Sequence, residues 1–159
     1  KESIAQVAII ERTLKVVSEG KPARLTELKD AAEQKDFALL QLLTSKPVMY
    51  VCNVDEGSAA TGNDFSKRVE GMAGQKKAPC VIISARIEAE IAMLETQAEK
   101  QDFLSSIGLE ETGLSRIIRA GYRLLNLITY FTAGPKEARA WTITDGTMAP
   151  QAAAVIHTD

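Results

Sequence analysis

The chain has 159 residues, 45% hydrophobic and 25% charged, which are the proportions of a globular protein and exclude a disordered or low-complexity segment. Lys and Arg number 19 against 21 Asp and Glu, for a formal net charge of -2, which argues against a globally basic nucleic-acid-binding protein but leaves room for a local basic patch. Two Cys and one His are too few for a four-ligand zinc site or a disulfide-dense secreted scaffold.

The sequence also bears on location. No apolar run approaches the roughly 20 residues that span a bilayer. We therefore expect a cytoplasmic protein with no membrane partner.

The first third of the chain is helical in pattern. Residues 4–17 repeat apolar side chains at spacings of three and four, as a helix with a seam for a partner helix does: Ile4, Val7, Ile10, Leu14 and Val17. Gly20 and Pro22 predict the end of this helix. Apolar residues from Ala32 to Leu43 indicate a second helix that stops before Pro47. A polar loop over residues 20–30 joins them, so we expect a helical hairpin or coiled-coil arm.

A βαβ unit follows. The runs Val48–Cys52 and Cys80–Ile83 are apolar at every position, as parallel strands covered by helices are. Residues 64–76 lie between them and predict the crossover helix.

The last part of the chain alternates between helical and strand-like patterns. Residues 86–106 are helical and acidic, with a capping box formed by Thr96 and Glu99. An amphipathic helix is expected from Leu114 to Ile128. Further elements are two strands joined across Gly134-Pro135 and a short helix: Thr129–Thr132, Arg139–Ile143 and Pro150–Ile156.

The candidate site lies where the two parallel strands end. Ligands of open α/β sheets bind beyond the carboxyl ends of the strands, and here these ends carry Asn53 to Glu56 and Ser84-Ala85. A carboxylate accepts from ring N–H or NH₂ groups, while an amide donates or accepts. Such residues suit the edge of a flat heterocycle. A polar strand-end turn without a ligand is the alternative.

Several motifs resemble one family, the YchF or Obg-like ATPases of the P-loop GTPase superfamily. The resemblance begins with Asn53-Val54-Asp55-Glu56, which is similar to the base-recognition motif of that family. It extends to the segments 43–51, 87–92 and 129–143 and to Val155-Ile156-His157-Thr158-Asp159. It covers nearly the whole chain and is weakest over residues 1–30 and 57–78.

The resemblance implies a fold and a domain order. The fold is α/β: part of a P-loop NTPase parallel sheet with a helical coiled-coil insertion, followed by the start of a β-grasp (TGS) domain. Residues 1–43 would be the later part of the coiled-coil arm. Residues 44–127 would be the C-terminal part of the nucleotide-binding G domain, and residues 128–159 a truncated TGS domain.

The base motif departs from the usual Asn-Lys-x-Asp of GTPases. Val54 replaces the Lys and Glu56 replaces the Asp, so the carboxylate is displaced by one methylene and guanine selectivity should fall. Adenine offers an NH₂ donor that Glu56 or the Asn53 carbonyl could meet. The resemblance implies a preference for ATP over GTP, with Asn53, Val54 and Glu56 around the base and Ser84 and Ala85 closing its other side.

No G-x-x-x-x-G-K-[ST] phosphate loop is present in these 159 residues. Gly57 and Gly62 have the glycine spacing, but Asn63 and Asp64 stand where Lys and Ser or Thr are needed. In the family that the chain resembles, the phosphate loop and the magnesium ligands precede the coiled-coil arm. The resemblance therefore implies an internal piece of a longer protein that carries the base-recognition half of the site and no catalytic or metal-ligating residue. It also implies that the intact protein is a ribosome-associated ATPase that requires Mg²⁺. A GTP-selective GTPase and a non-catalytic adaptor that binds RNA or the ribosome are the alternatives.

The remaining candidates carry weaker signals. Arg116, Arg119 and Arg123 recur on one helix face near aromatic residues and could bind RNA, or form a solvated face. Cys52 and Cys80 belong to buried strands and are expected to be small core residues, with a redox role left open. His157 lacks a nucleophile partner and is rejected as a base catalyst.

Overall fold

The structure, a computed structural model, describes residues 2–156, with side chains from residue 6 onward. The chain divides into two compact units, Lys1–Pro47 and Val48–Asp159. His157, named above as a rejected base, lies outside the described residues. Within the described part of the chain, every helix is too short or too polar to cross a membrane.

The first unit is a pair of helices. Helix α1 spans Glu2–Ser18 and α2 spans Ala31–Leu39, and a 3₁₀ turn over Ala23–Leu25 lies in the loop between them. Ile9, Ala23 and Phe37 form the buried core between these elements. The predicted hairpin is therefore present.

The apolar seam predicted for α1 is not buried against α2. Ile9 and Thr13 are the buried residues of this helix, whereas Ile10, Leu14 and Val17 are 44–62% exposed. The Thr13 hydroxyl donates to the Ile9 carbonyl at 2.8 Å, which allows a polar side chain to be buried here. The seam is thus an exposed apolar stripe on the described part of the unit, and the coiled-coil assignment stays a prediction.

An arginine ties the loop of this unit to both helices. Arg12 donates to the Glu27 carbonyl at 2.8 Å and to the Glu33 carboxylate at 2.6 Å. The Arg12 hydrogen bond, reinforced by the Lys29 N–H, lowers the pKa of Glu33. The contact joins residues 21 positions apart and fixes how α2 returns along α1.

Helix α2 is shorter than predicted. It ends at Leu39 rather than Leu43, because Gln41 adopts a left-handed backbone with φ of 48°, which interrupts a helix. A 3₁₀ turn over Leu43–Ser45 follows.

The second unit begins with the predicted βαβ arrangement. Strand β1 spans Tyr50–Asn53, helix α3 spans Asp64–Gln75 and strand β2 spans Cys80–Ile83. The strands pair in parallel, with Tyr50 opposite Cys80 and Asn53 opposite Ile83. Strand β1 is shifted two residues later at its start than predicted. Helix α3 starts with a capping box between Asn63 and Ser66.

Two helices rather than one occupy the acidic segment. Helix α4 spans Ala85–Met93 and α5 spans Gln97–Ser106. The break falls at Leu94, whose ψ of 135° is extended. The predicted capping box of Thr96 and Glu99 starts α5 and is confirmed. The core of this unit packs both helices together through Ala59, Ile87, Ile91, Leu104 and Leu109.

A helix and a hairpin complete the described chain. Helix α6 spans Gly113–Leu124, strands β3 and β4 span Leu127–Ala133 and Ala138–Thr144, and helix α7 spans Ala149–Ile156. Ile128 was predicted to be helical but lies in β3, because Asn126 has a φ of 54° and ends the helical path. The strands are antiparallel, with Tyr130 opposite Trp141. The Tyr130 hydroxyl donates to the Ala152 carbonyl at 2.7 Å and holds α7 to the hairpin.

Candidate functional site

The carboxyl ends of β1 and β2 meet at one edge of the sheet. The parallel register places Asn53 beside Ile83, and the Val54 N–H donates to the Ile83 carbonyl at 2.8 Å. The Asn53 amide oxygen accepts from the Ala85 N–H at 2.9 Å. The predicted residues Asn53, Val54, Ser84 and Ala85 are thereby brought together at this edge.

This hydrogen bond divides the roles of the Asn53 amide. Its oxygen is engaged by the first residue of α4, so its NH₂ group remains as a donor. Asn53 is therefore better placed to donate to a ring nitrogen than to accept from an exocyclic NH₂. Glu56 is the other residue that the sequence predicts as an acceptor for that group.

The two carboxylates after β1 have different partners. Asp55 caps a 3₁₀ turn over Glu56–Ser58 by accepting from the Ser58 N–H at 3.0 Å. Glu56 forms an ion pair with Arg86, with 2.7 Å between Glu56 Oε1 and Arg86 Nε. Asp55 thus has a structural role, whereas the Glu56 carboxylate is held only by a solvent-exposed ion pair.

An open cleft of about 410 Å³ adjoins β1. Val54 and Asn53 line it together with Tyr50, Phe65 and Val69. Across the site Ser84 is 3% exposed, and its hydroxyl oxygen is buried without a hydrogen-bond partner among the described residues. The Ser84 hydroxyl therefore lies inside the packed edge of the sheet, out of reach of a ligand in the cleft.

The site residues do not fit a resident metal ion. Among the side chains of residues 6–156, no three from His, Cys, Asp or Glu come close enough together to ligate one. The carboxylates nearest the site are Asp55 and Glu56, and they already meet a backbone N–H and an arginine.

The three arginines of α6 differ in their surroundings. Arg119 is paired with Glu111 through two hydrogen bonds, one of them 3.1 Å long. The Nε of Arg116 is buried without a partner in the described part of the chain, and the residue borders a cleft that contains Glu70. Arg123 is exposed and forms no ion pair with any described residue. The three do not form one uniform basic surface.

Cys52 and Cys80 lie on adjacent strands with 3.7 Å between their sulfur atoms. Both are free thiols and partly buried. Burial, together with the neighbouring Cys52, raises the pKa of Cys80 to about 11. A thiol that is protonated at neutral pH is a poor nucleophile, in agreement with the expected packing role.

The sequence analysis did not predict two contacts of α4 residues, those of Arg86 and Glu88. Arg86 was not singled out, although it directly follows Ser84-Ala85 and stands four residues before Glu90 on α4. Glu88 accepts from the Gly113 N–H at 2.6 Å and the Leu114 N–H at 3.1 Å, and so caps α6. Spacing alone could not have indicated that Arg86 pairs with Glu56 or that Glu88 caps α6, because the partners are far apart in the sequence.

The βαβ unit and its strand-end residues first indicate the class of protein. A parallel βαβ unit with an Asn at the end of one strand, hydrogen-bonded to the start of the helix after the next strand, has the strand-end geometry at which α/β proteins commonly bind ligands. Comparison with known proteins identifies the family. The chain is 50% identical over 159 residues to the "Ribosome-binding ATPase YchF" of Haemophilus ducreyi and 42% identical over 161 residues to that of Bacillus subtilis. Each match covers all of this chain and 43% of the relative.

A family model and a solved structure point to the same family. A family model described as "YchF-GTPase_C: Protein of unknown function (DUF933)" matches residues 127–159. A solved structure of the Schizosaccharomyces pombe YchF GTPase superposes with a TM-score of 0.83 and 33% sequence identity. That superposition covers 96% of this chain and 40% of the other. The chain belongs to the YchF family, as the sequence motifs predicted, and it spans less than half the length of the relatives it matches.

Proposed function

We propose that the protein containing this chain is an ATP-binding and ATP-hydrolysing P-loop NTPase of the YchF type that acts with the ribosome in the cytoplasm. In this proposal the chain supplies the base-recognition half of the nucleotide site. The phosphate loop and the ligands of Mg²⁺ belong to parts of the relatives that these 159 residues do not match. Phosphoryl transfer depends on those parts, so no residue of this chain is assigned a catalytic role.

One observation carries the proposal most directly. The Asn53 side chain joins the ends of both strands through its hydrogen bond to the Ala85 N–H, in a chain whose full length matches proteins named ribosome-binding ATPases. The hydrogen bond keeps two backbone segments at a fixed separation. A flat base could lie between the loop after β1 and the loop after β2, with Val54 packed against it.

The preference for ATP over GTP rests on the donor and acceptor groups. Asn53 offers an NH₂ donor, which suits N7 of any purine, and therefore does not discriminate between the bases. In this proposal the Glu56 acceptor lies opposite position 6 of the purine, where it suits the 6-NH₂ of adenine and opposes O6 of guanine. Val54 supplies apolar contact without the lysine stem of the usual GTPase motif.

The domain assignment is part of the same proposal. Residues 1–43 are assigned to a coiled-coil arm, residues 44–127 to the nucleotide-binding domain and residues 128–159 to the start of a TGS domain. The exposed stripe on α1 supports the first assignment because a coiled-coil helix needs an apolar face for its partner. RNA or ribosome contact through Arg116, Arg119 and Arg123 is also proposed, with Arg123 as the residue least engaged within the chain.

The test uses the full-length protein that contains this segment. ATP and GTP turnover and co-sedimentation with ribosomes are measured on one preparation. Turnover of ATP exceeding that of GTP, together with ribosome binding, is the expected result. Ribosome binding without turnover of either nucleotide would instead identify an adaptor, and faster turnover of GTP would identify a GTPase.

A further inference from the structure

Arg86 stands between the loop that follows β1 and the helix that follows β2. Its Nε lies 2.7 Å from Glu56 Oε1 and 3.8 Å from Glu90 Oε1. Glu56 belongs to the first loop, and Glu90 lies one turn along α4 from Arg86. A single guanidinium thus links the proposed base-reading carboxylate to the neighbouring helix.

The ion pair engages Glu56 on one side only. Oε1 faces Arg86, and this ion pair is the only polar side-chain contact that Glu56 makes with the side chains described, those of residues 6–156. A carboxylate has about four acceptor positions. The Arg86 and Glu56 side chains are 75% and 42% exposed, so the pair biases the position of Glu56 modestly and leaves an oxygen open to a ligand.

We propose that Arg86 is a positioning residue that gives the site its selectivity for a 6-aminopurine. It holds the Glu56 carboxylate so that Oε2 accepts a hydrogen bond from the exocyclic NH₂ of the base. This inference rests on the proposed function, since it concerns the same nucleotide site. Arg86 itself does not touch the base.

The chemistry explains why a positioning group matters here. A glutamate carboxylate sits on a longer and more flexible side chain than the aspartate of the usual GTPase motif, and ordering it carries an entropy cost. An existing ion pair meets part of that cost before the ligand arrives. A carboxylate held at this point also repels the O6 of guanine, so the same contact rejects the wrong base.

The experiment separates positioning from general folding. Dissociation constants are measured in the full-length protein for ATP and for purine riboside triphosphate, which lacks the 6-amino group. Arg86→Met removes the charge and keeps much of the length, whereas Arg86→Lys restores a cation. Glu90→Gln is the matched control, because it alters the more distant partner of Arg86 on an exposed helix face.

We expect the wild-type protein to bind ATP about tenfold more tightly than the analogue, the worth of one charge-assisted hydrogen bond. Arg86→Met should reduce this ratio about threefold, the size of an exposed ion pair, by weakening ATP and leaving the analogue unchanged. Arg86→Lys should recover most of the ratio, and Glu90→Gln should preserve it. In a Glu56→Gln background, Arg86→Met should have no further effect.

Two results would overturn the inference and leave the proposed function intact: an unchanged ratio in Arg86→Met, or tighter ATP binding, which would mean that Arg86 withholds Glu56 from the base. Equal weakening of both nucleotides would assign Arg86 a general structural role and also contradict it. Absence of ATP binding by the wild-type protein would refute the proposed function, and the inference with it.

Discussion

The Asn53 amide oxygen accepts a hydrogen bond from the Ala85 N–H at 2.9 Å, and this contact joins residues 32 positions apart at the carboxyl ends of two parallel strands. It connects the proposed base-reading loop directly to the start of α4. The amide therefore has a structural oxygen and a nitrogen that is free to bind a ligand. Substitutions can separate these two roles.

Asn53→Ala should lower the free energy of unfolding by about 1 kcal/mol, the net worth of a typical hydrogen bond, and should weaken ATP binding. Asn53→Asp keeps an oxygen acceptor for Ala85 but removes the NH₂ donor. We expect it to retain stability while losing affinity about as strongly as Asn53→Ala. Denaturant unfolding and ATP titration of both full-length variants provide the measurements, and full ATP affinity in Asn53→Asp would exclude the donor role.

The second prediction concerns base selectivity. Replacing Val54 with Lys and Glu56 with Asp restores the usual GTPase motif and should move the preference towards GTP. The change also removes the longer carboxylate that pairs with Arg86. Titration of ATP and GTP into the wild-type and doubly substituted full-length proteins measures the shift. A wild-type protein that favours GTP tenfold, about 1.4 kcal/mol, would contradict the proposed reading of the base.

The third prediction concerns the arginines of α6. Replacing all three with Gln should weaken association with ribosomes and flatten its salt dependence, because fewer counterions are released. Arg123→Gln alone should account for more of this effect than Arg119→Gln, since Arg119 is already paired with Glu111. Sedimentation at several salt concentrations measures both slopes. Unchanged sedimentation of the triple variant would show that these arginines form a solvated surface and do not contribute to ribosome binding.

The fourth prediction concerns the cap of α6. Glu88 accepts from the first two N–H groups of that helix, and a Cβ at Gly113 would lie 2.7 Å from Ile83 Cγ2. Glu88→Ala should therefore destabilise the protein by about 1–2 kcal/mol, and Gly113→Ala should destabilise it by displacing α6 from β2. Glu90→Ala, on the exposed face of α4, the helix that also carries Glu88, should have little effect. Urea unfolding of the three variants distinguishes these cases.

The sequence predicted contacts that are local or periodic. The apolar runs Val48–Cys52 and Cys80–Ile83 indicated two strands and their parallel order, because a crossover helix of suitable length lies between them; the first strand is observed at Tyr50–Asn53. The capping box of Thr96 and Glu99 was also predictable, since its partners are three residues apart. Both features depend on spacing that can be read along the chain.

Contacts between distant segments were not predictable in the same way. Arg86 could have paired with any of the carboxylates near it, and only the fold brings Glu56 to its Nε. The face of α1 that packs inward was misjudged for a related reason. The apolar repeat predicted that Ile10 and Leu14 face a partner helix. The buried residues are instead Ile9 and Thr13, on the adjacent face.

The last prediction concerns the 159-residue chain expressed alone. Within the described residues β1 pairs only with β2, so its other edge offers unpaired backbone groups beside Val51 and the 75% exposed Phe65. An open apolar edge invites pairing with another chain. We expect this chain to self-associate, and Val51→Lys to reduce that association by placing a charge at the edge.

The same chain should bind ATP weakly and should not hydrolyse it. Its proposed contacts are to the base alone, and no phosphate-loop sequence occurs in it, so an affinity near the millimolar range, about 4 kcal/mol, is expected. Analytical ultracentrifugation measures association, and a phosphate-release assay measures turnover. A monodisperse, cooperatively melting monomer that hydrolyses ATP would contradict both expectations, because the residues that bind and cleave the phosphates would then have to lie within these 159 positions.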